Sequence, residues 1–179
     1  MSSKINYGVI LGMISAASAI VVYLLGPEAM TEMSWVTYPF TILSIGLLIY
    51  FGIRLRNENG GYFTFGQAYG NLMVMSVVSA LVSGVVSLVL FVLIDSDFGE
   101  SYLELLREQM YNQGLDEEGV EMAMSFTEWM NPFSTMGVVL SIVISIIGAA
   151  LLNLIFALIV KKNPPEGFSN VDKQEDILA

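Results

Sequence analysis

The chain has 179 residues, 55% of them hydrophobic and 13% charged, a formal net charge of -10, and neither cysteine nor histidine. Soluble domains carry roughly 25% charged residues, so an ordinary soluble domain is excluded, and the acidic balance excludes the basic surface that nucleic acid demands. Without thiol or imidazole there is no disulfide framework, no zinc site of the usual ligand sets, no haem or iron–sulfur ligation and no imidazole triad, so no catalytic residue, cofactor or metal site is assigned.

Four uncharged apolar segments, 7–25, 35–53, 71–94 and 133–160, reach the roughly 20 residues needed to cross a hydrocarbon core. The first has a basic start at Lys4, and Ala17-Ser18-Ala19 imitates a cleavage site. The apolar run continues past that point, so the segment is read as a retained helix rather than a signal peptide. Pro39 in the second segment is expected to kink it. The fourth would be about 42 Å long at 1.5 Å per residue and must tilt or project.

Between the second and third spans lies "GGYFTFGQAYGNL". Gly60-Gly61 makes the turn, and Thr64 with Gln67 forms a capping box that starts the third helix. Tyr62, Phe63, Phe65 and Tyr69 are expected at headgroup level as an aromatic belt. After the third span, residues 95–131 read as an amphipathic helical hairpin. Ser101 and Glu104 form a capping box, and Tyr102, Leu105, Leu106 and Met110 share one apolar face. Gly114 stops that helix and Asp116 caps the next, with Glu117 and Glu118 near its positive end. Val120, Ala123, Met124 and Met130 make the second stripe, and Pro132 leads into the last span.

Lys4, Arg54, Arg56, Lys161, Lys162 and Lys173 fall on one side of a zigzagging chain, and Arg107 alone on the other. The positive-inside rule puts both termini in the cytoplasm, with Glu28, Glu32 and segment 95–131 outside. The expected fold is therefore all-α: an integral membrane protein with four transmembrane helices and an extracytoplasmic amphipathic helical hairpin between helices three and four. Residues 1–162 form a single membrane domain, and the polar tail 163–179 is expected to be disordered and cytoplasmic.

The order of two spans, then "GGYFTFGQAYGNLMV" opening a third, then an acidic helical stretch closing in "NPF" before a fourth span that ends in "KK", resembles small bacterial membrane proteins grouped as domain of unknown function 4199. The resemblance runs from about Lys4 to Lys162. It implies four spans and an inner-membrane location, and it carries over no activity and no functional residue.

Small residues recur at helical steps in three of the spans. They are Gly8, Gly12 and Ala16 in the first; Ser76, Ser79, Ala80, Ser83, Gly84 and Ser87 in the third; and Gly137, Ser141, Ser145, Ala149, Asn153 and Ala157 in the fourth. Lipid gives no hydrophobic drive for helices to associate, so close approach at such residues is expected to hold the bundle. A step of four overshoots a turn by about 40°, so the last series winds round its helix toward an angled partner or two successive ones. Asn153 is expected to hydrogen-bond a neighbouring helix, or, with Asn71, to line a polar path. Asp95, Asp97, Gly99 and Glu100 fail as a calcium loop, because Gly99 and Leu106 stand where oxygen ligands are needed. Asp116, Glu117, Glu118 and Glu121 are a charged helix start rather than paired catalytic carboxylates.

Three roles follow in order of preference: a non-enzymatic accessory or scaffold of a membrane complex, a small channel or transporter with a neutral Ser/Asn-lined path, and an enzyme on lipid-linked substrates. The partners expected are the bilayer and a membrane protein or a second copy of the chain, and not nucleic acid.

Overall fold

A computed structural model describes residues 2–31 and 33–165, and every regular element among them is a helix. Helix α1 is Ser3–Leu25 and α2 is the single turn Glu28–Thr31, followed by a 3-10 turn at Ser34–Thr37. Helix α3 is Tyr38–Glu58; α4 is Phe65–Leu88 and continues as a π-helical stretch, Val89–Ile94. Helices α5 (Phe98–Asn112) and α6 (Glu117–Trp129) precede α7, Thr135–Val160. Ser3–Leu25, Trp35–Glu58, Phe65–Ile94 and Thr135–Val160 are long and apolar enough to cross a membrane. The chain is an all-α, multi-pass membrane protein.

Helix α4 stands in the middle, with α1 against one side and α7 against another. Helix α3 joins them mainly near its C-terminal end. Its buried residues are Phe51, Gly52 and Leu55, whereas Tyr38, Ile42, Leu43 and Ile45 are exposed. The bundle is therefore closed at the face carrying the start of α1 and the end of α7, and splayed toward the opposite, far face.

The closed end is a core of Leu11, Phe51, Leu55, Leu72, Met75, Ala157 and Val160. Tyr7 stacks on Phe51 at 4.5 Å and donates a 2.5 Å hydrogen bond to Glu58, which Arg54 also meets at 3.3 Å. Arg54 is exposed, so that ion pair contributes little. Arg56 instead reaches across and donates to the Val160 carbonyl at 2.9 Å, satisfying an orphan acceptor at the end of α7. The Phe63 N–H donates to the Lys162 carbonyl (3.0 Å) and the Lys162 N–H to the Phe63 carbonyl (2.9 Å), an antiparallel bridge that ties the α3–α4 loop to the end of α7. This bridge corrects one expectation: Phe63 is buried in the core, 5% exposed, and does not belong to a headgroup belt. Tyr62 stays outside, with the Lys162 ammonium 5.4 Å from its ring centre.

Several termini follow local chemistry. The Thr64 hydroxyl accepts from Gln67 N–H at 3.3 Å while Gln67 Oε1 accepts from Thr64 N–H at 2.9 Å, which completes the capping box of α4. Asp116 caps α6 through Gly119 N–H at 3.0 Å. Gly114, at φ +87°, ends α5 with bonds from its own N–H to Tyr111 and from Leu115 N–H to Met110, a left-handed stop that glycine adopts without strain.

Other expectations are corrected. Helix α5 opens at Phe98, three residues before Ser101, because the Asp95 carboxylate already accepts from Phe98 N–H at 3.1 Å. Ser101 is thus inside the helix and its box with Glu104 does not form. Pro39 lies in the first turn of α3, where its missing N–H would be unpaired anyway, so it starts a helix instead of kinking one. Ser134, not Pro132, opens the last span, accepting from Gly137 N–H at 3.0 Å. The expected disorder of the tail falls, from residue 166 on, outside the described residues, as do Lys173 and Glu32.

At the far face Phe91, Phe98 and Phe133 meet pairwise at 4.7 to 4.9 Å between ring centres, with Tyr102 5.1 Å from Phe133. Burial pushes the Tyr102 phenol above its ordinary value. The cluster is pinned by Asn131, a buried amide whose Oδ1 accepts from Phe133 N–H (3.0 Å) and whose Nδ2 donates to the Gly99 carbonyl (3.4 Å). Asn131→Ala removes both bonds and leaves the Phe133 N–H unpaired. It should cost about 1–3 kcal/mol, read as a lower unfolding midpoint in detergent.

Candidate functional site

The splay of α3 leaves a cleft of about 290 Å³ on the far-face half of the bundle. One face of each flanking helix lines it. Helix α1 contributes Ser15 and Ser18, α4 contributes Ser83 and Ser87, and α7 contributes Ser141 and Ser145. Within each helix the two serines are three or four residues apart, so their hydroxyls fall on one side. Phe91 and Phe133 of the aromatic cluster roof the cleft, and Thr37 and Met30 stand at its edge. Among the described residues its lining contains no ionisable side chain.

Two smaller cavities continue downward. One lies between α1 and α3, sharing Ser15 and Ser18 with the cleft and adding Ser44. The next shares Ser44 and Ile45 with that one and ends at Ser76, Ser79 and Asn153. Serines thus border all three hollows between the aromatic roof and the top of the closed core, although the wall of the lowest is almost wholly apolar.

The structure distributes the singled-out small residues among different tasks. Gly8 and Gly12 lie against α4, where an added Cβ would come 2.7 Å from Val78 Cβ and 2.6 Å from Val82 Cβ respectively. Ala16 is buried on the same helix. Gly84 abuts the flexible end of Ile142 from α7. Ser79 lines the lower cavity, and Ser83 and Ser87 line the cleft. Ser141 and Ser145, although small, are exposed in the cleft, while Ala149 lines the lower cavity. Gly137 is spent on the joint with Asn131. The winding series on α7 therefore passes from joint to cleft to cavity to core.

Asn153 is fully buried. Its Nδ2 donates to Ser76 Oγ at 3.0 Å and approaches Met73 Sδ at 3.4 Å. Asn71 is not brought to it: its amide donates to the Gln67 carbonyl one turn back on α4, at 2.9 Å. Among the described residues no group of three or more acidic side chains is placed to hold a metal ion.

The sequence reading missed the aromatic roof and the π-helical stretch that leads into it. Val89–Ile94 contains no glycine or proline to mark a break, and only the docking of Phe91 goes with the widened turns, which end with Asp95 N–H on the Leu90 carbonyl.

A family model described as a protein of unknown function (DUF4199) matches residues 6–162, which takes in all four spans and the intervening helices. No curated protein and no solved structure matches the chain.

Proposed function

We propose, from the premise that the chain belongs to the DUF4199 family, that it is a non-enzymatic accessory or scaffold of a membrane complex. Its hydroxyl-lined cleft is the place where a partner's transmembrane helix packs. One observation carries this reading: at the level of the far-face half of the spans, the chain's own four helices leave a row of small polar side chains uncovered. Facing lipid, such hydroxyls gain nothing. Against another helix they allow close backbone approach and interhelical hydrogen bonds, which are what drives association where lipid is as apolar as leucine. Gly148, with no atom within 4 Å of a Cβ added there, extends the small surface along α7.

The membrane is a bacterial inner membrane, with both termini cytoplasmic. Lys4, Arg54, Arg56, Lys161 and Lys162 share the closed face, and the acidic α5 and α6 lie at the other, which is the arrangement the positive-inside rule favours. Helices α5 and α6 are then extracytoplasmic. A periplasm-dependent phosphatase fused after Ala179 should be inactive; an active fusion would reverse the orientation.

The partner is tested by placing a photo-crosslinking residue at Ser18 or Ser145 in living cells, with Leu158, exposed near the closed face, as control. A discrete membrane-protein adduct from the two cleft positions, and not from Leu158, is expected. Adducts to lipid alone at all three positions would remove the partner.

A second reading, a small channel or transporter with a neutral path, is favoured by the shared lining residues of the three cavities. Proton-coupled carriers use an ionisable group within the membrane, so the solute here would be uncharged and uncoupled. Flux through reconstituted liposomes that Asn153→Ala abolishes would favour this reading over the accessory one.

A further inference from the structure

We infer that α6 lies in the headgroup layer of the membrane at the far face, with Met122, Phe126 and Trp129 seated in lipid and Glu117, Glu121 and Glu128 turned to water. The inference rests on the four spans crossing a membrane and not on a partner helix in the cleft.

The starting point is a second apolar side on α6. Met122, Phe126 and Trp129 are 72%, 64% and 63% exposed, and steps of four and three put them on one side of the helix. The opposite side is already used: Val120 and Met124 are buried there, where α6 packs against α5. The exposed stripe is therefore surplus to the hairpin's own core.

The direction of that stripe follows from α5. Phe98 and Tyr102 meet the aromatic roof, and Leu105 and Gln109 border a hollow with Thr31 of α2, so this side of α5 rests on the end of the bundle. The side toward α6 is one residue further on: Gly99, against Asn131, then the partly buried Leu103, Leu106 and Met110. One residue is about 100° of rotation, so α6 lies beside α5 rather than stacked above it. Arg107, turned further from the bundle, meets Glu128 at 3.4 Å, which marks the water side of α6. Glu121 shares that side, seven residues being close to two full turns. The apolar stripe is rotated from these acids by about 110°, onto the flank that looks away from α5 and toward the level of the span ends.

Lipid is what occupies that level. The stripe ends at Trp129, just before α7, and the exposed Met136 and Val139 carry its apolar surface on into the span. The chain's other tryptophan, Trp35, is also exposed and opens a span at the same far face. Tryptophan favours the membrane–water boundary, where its ring is in apolar surroundings and its N–H can reach water or headgroups. The polar side of α6 is acidic, so the seat draws on buried apolar area and not on attraction to anionic lipid.

The test uses the full-length protein in lipid nanodiscs with a single tryptophan as reporter. Trp35→Phe with Trp129→Phe removes both native indoles, and Met122→Trp or Glu121→Trp then puts one on either side of α6. Both positions are exposed, so the new ring meets no packed neighbour. The Met122→Trp indole should be quenched several-fold more by phosphatidylcholine brominated high on its acyl chains than by aqueous acrylamide, and the Glu121→Trp indole the reverse. Trp35 as the sole tryptophan gives the reference for the lipid level. Acrylamide quenching at both positions would overturn the seat in lipid and leave the stripe to a soluble partner. A Met122→Trp indole that neither quencher reaches would overturn it in favour of a protein cover, such as a second copy of the chain. Bromolipid quenching at both positions would overturn the rotation of α6 derived above.

Discussion

Gly137→Ala should leave almost no correctly folded protein, although alanine is the better helix former. Gly137 is the third residue of α7, and a Cβ there would fall inside the van der Waals shell of the Asn131 carbonyl oxygen, 2.6 Å from the carbonyl carbon and 3.0 Å from Pro132 Cα. All three atoms are backbone, so none can rotate away. The same carbonyl accepts both the Ser134 N–H (3.1 Å) and the Ser134 hydroxyl (2.8 Å), so displacing it undoes the turn that caps α7. It would also disturb Asn131, which holds the aromatic roof of the cleft. A loss above about 4 kcal/mol is expected, seen as aggregation on extraction in mild detergent and as a collapsed unfolding midpoint. Gly148→Ala is the matched control: nothing lies within 4 Å of its added Cβ, and it should be neutral or gain up to about 1 kcal/mol from helix propensity. Equal behaviour of the two variants would contradict the α6–α7 joint described above.

Gly12→Leu is the second large effect. Helix α1 crosses α4 so closely at this point that even a Cβ would meet Val82 Cβ at 2.6 Å and the Ser79 carbonyl oxygen at 3.0 Å. One turn earlier Gly8 is equally tight, against Val78 Cβ and, at 2.9 Å, the Met75 carbonyl oxygen. Because the obstacles are a Cβ and a carbonyl, the helices must separate rather than repack. Gly12→Ala should cost about 1–3 kcal/mol by overpacking, and Gly12→Leu distinctly more, measured by titrating mixed micelles with a denaturing detergent. Separation would also move Ser15 and Ser18, about one and nearly two turns further along α1, away from the α4 and α7 serines that they face across the cleft. The Ser18 crosslink should therefore weaken in Gly12→Ala even where the protein remains folded.

These two glycines show how unequally the sequence could be read. Gly8 and Gly12 sit in a pattern of small residues four apart within an apolar run, and that pattern implies a helix crossing on general grounds. Gly137 begins a similar-looking series, yet its task is to clear a backbone carbonyl six residues back. Nothing in its spacing says so; the clash arises from the path of the chain through Asn131 and Pro132. The hydroxyl stripes on α4 and α7 were likewise visible as stripes. That they line a cleft was not, because the opening depends on the tilt of α3, and a helix with apolar residues all round carries no periodic signal for the side it presents.

The two ends of the molecule make the same contrast. Thr64 with Gln67, Asp116 and Gly114 act within a few residues of themselves, so their roles as caps and stop could be read locally. Asp95 accepts from Phe98 N–H, and α5 starts there, which leaves Ser101 one turn inside the helix and of no use as a cap. Phe63 looked like one more interfacial aromatic until its backbone paired with Lys162, about a hundred residues away.

The amino-acid sequence alone determined that the chain is helical, where four long apolar stretches lie, and which polar groups sit in segments between them. Those properties follow from residue-by-residue solvation and from short-range backbone chemistry. Only the tertiary structure decided that Asn153 meets Ser76 and not Asn71, that α3 stands away from the far half of the bundle, and that three serine faces converge on one cleft. These are consequences of how rigid helices tilt and rotate against one another, and packing sets tilt and rotation while composition leaves them free.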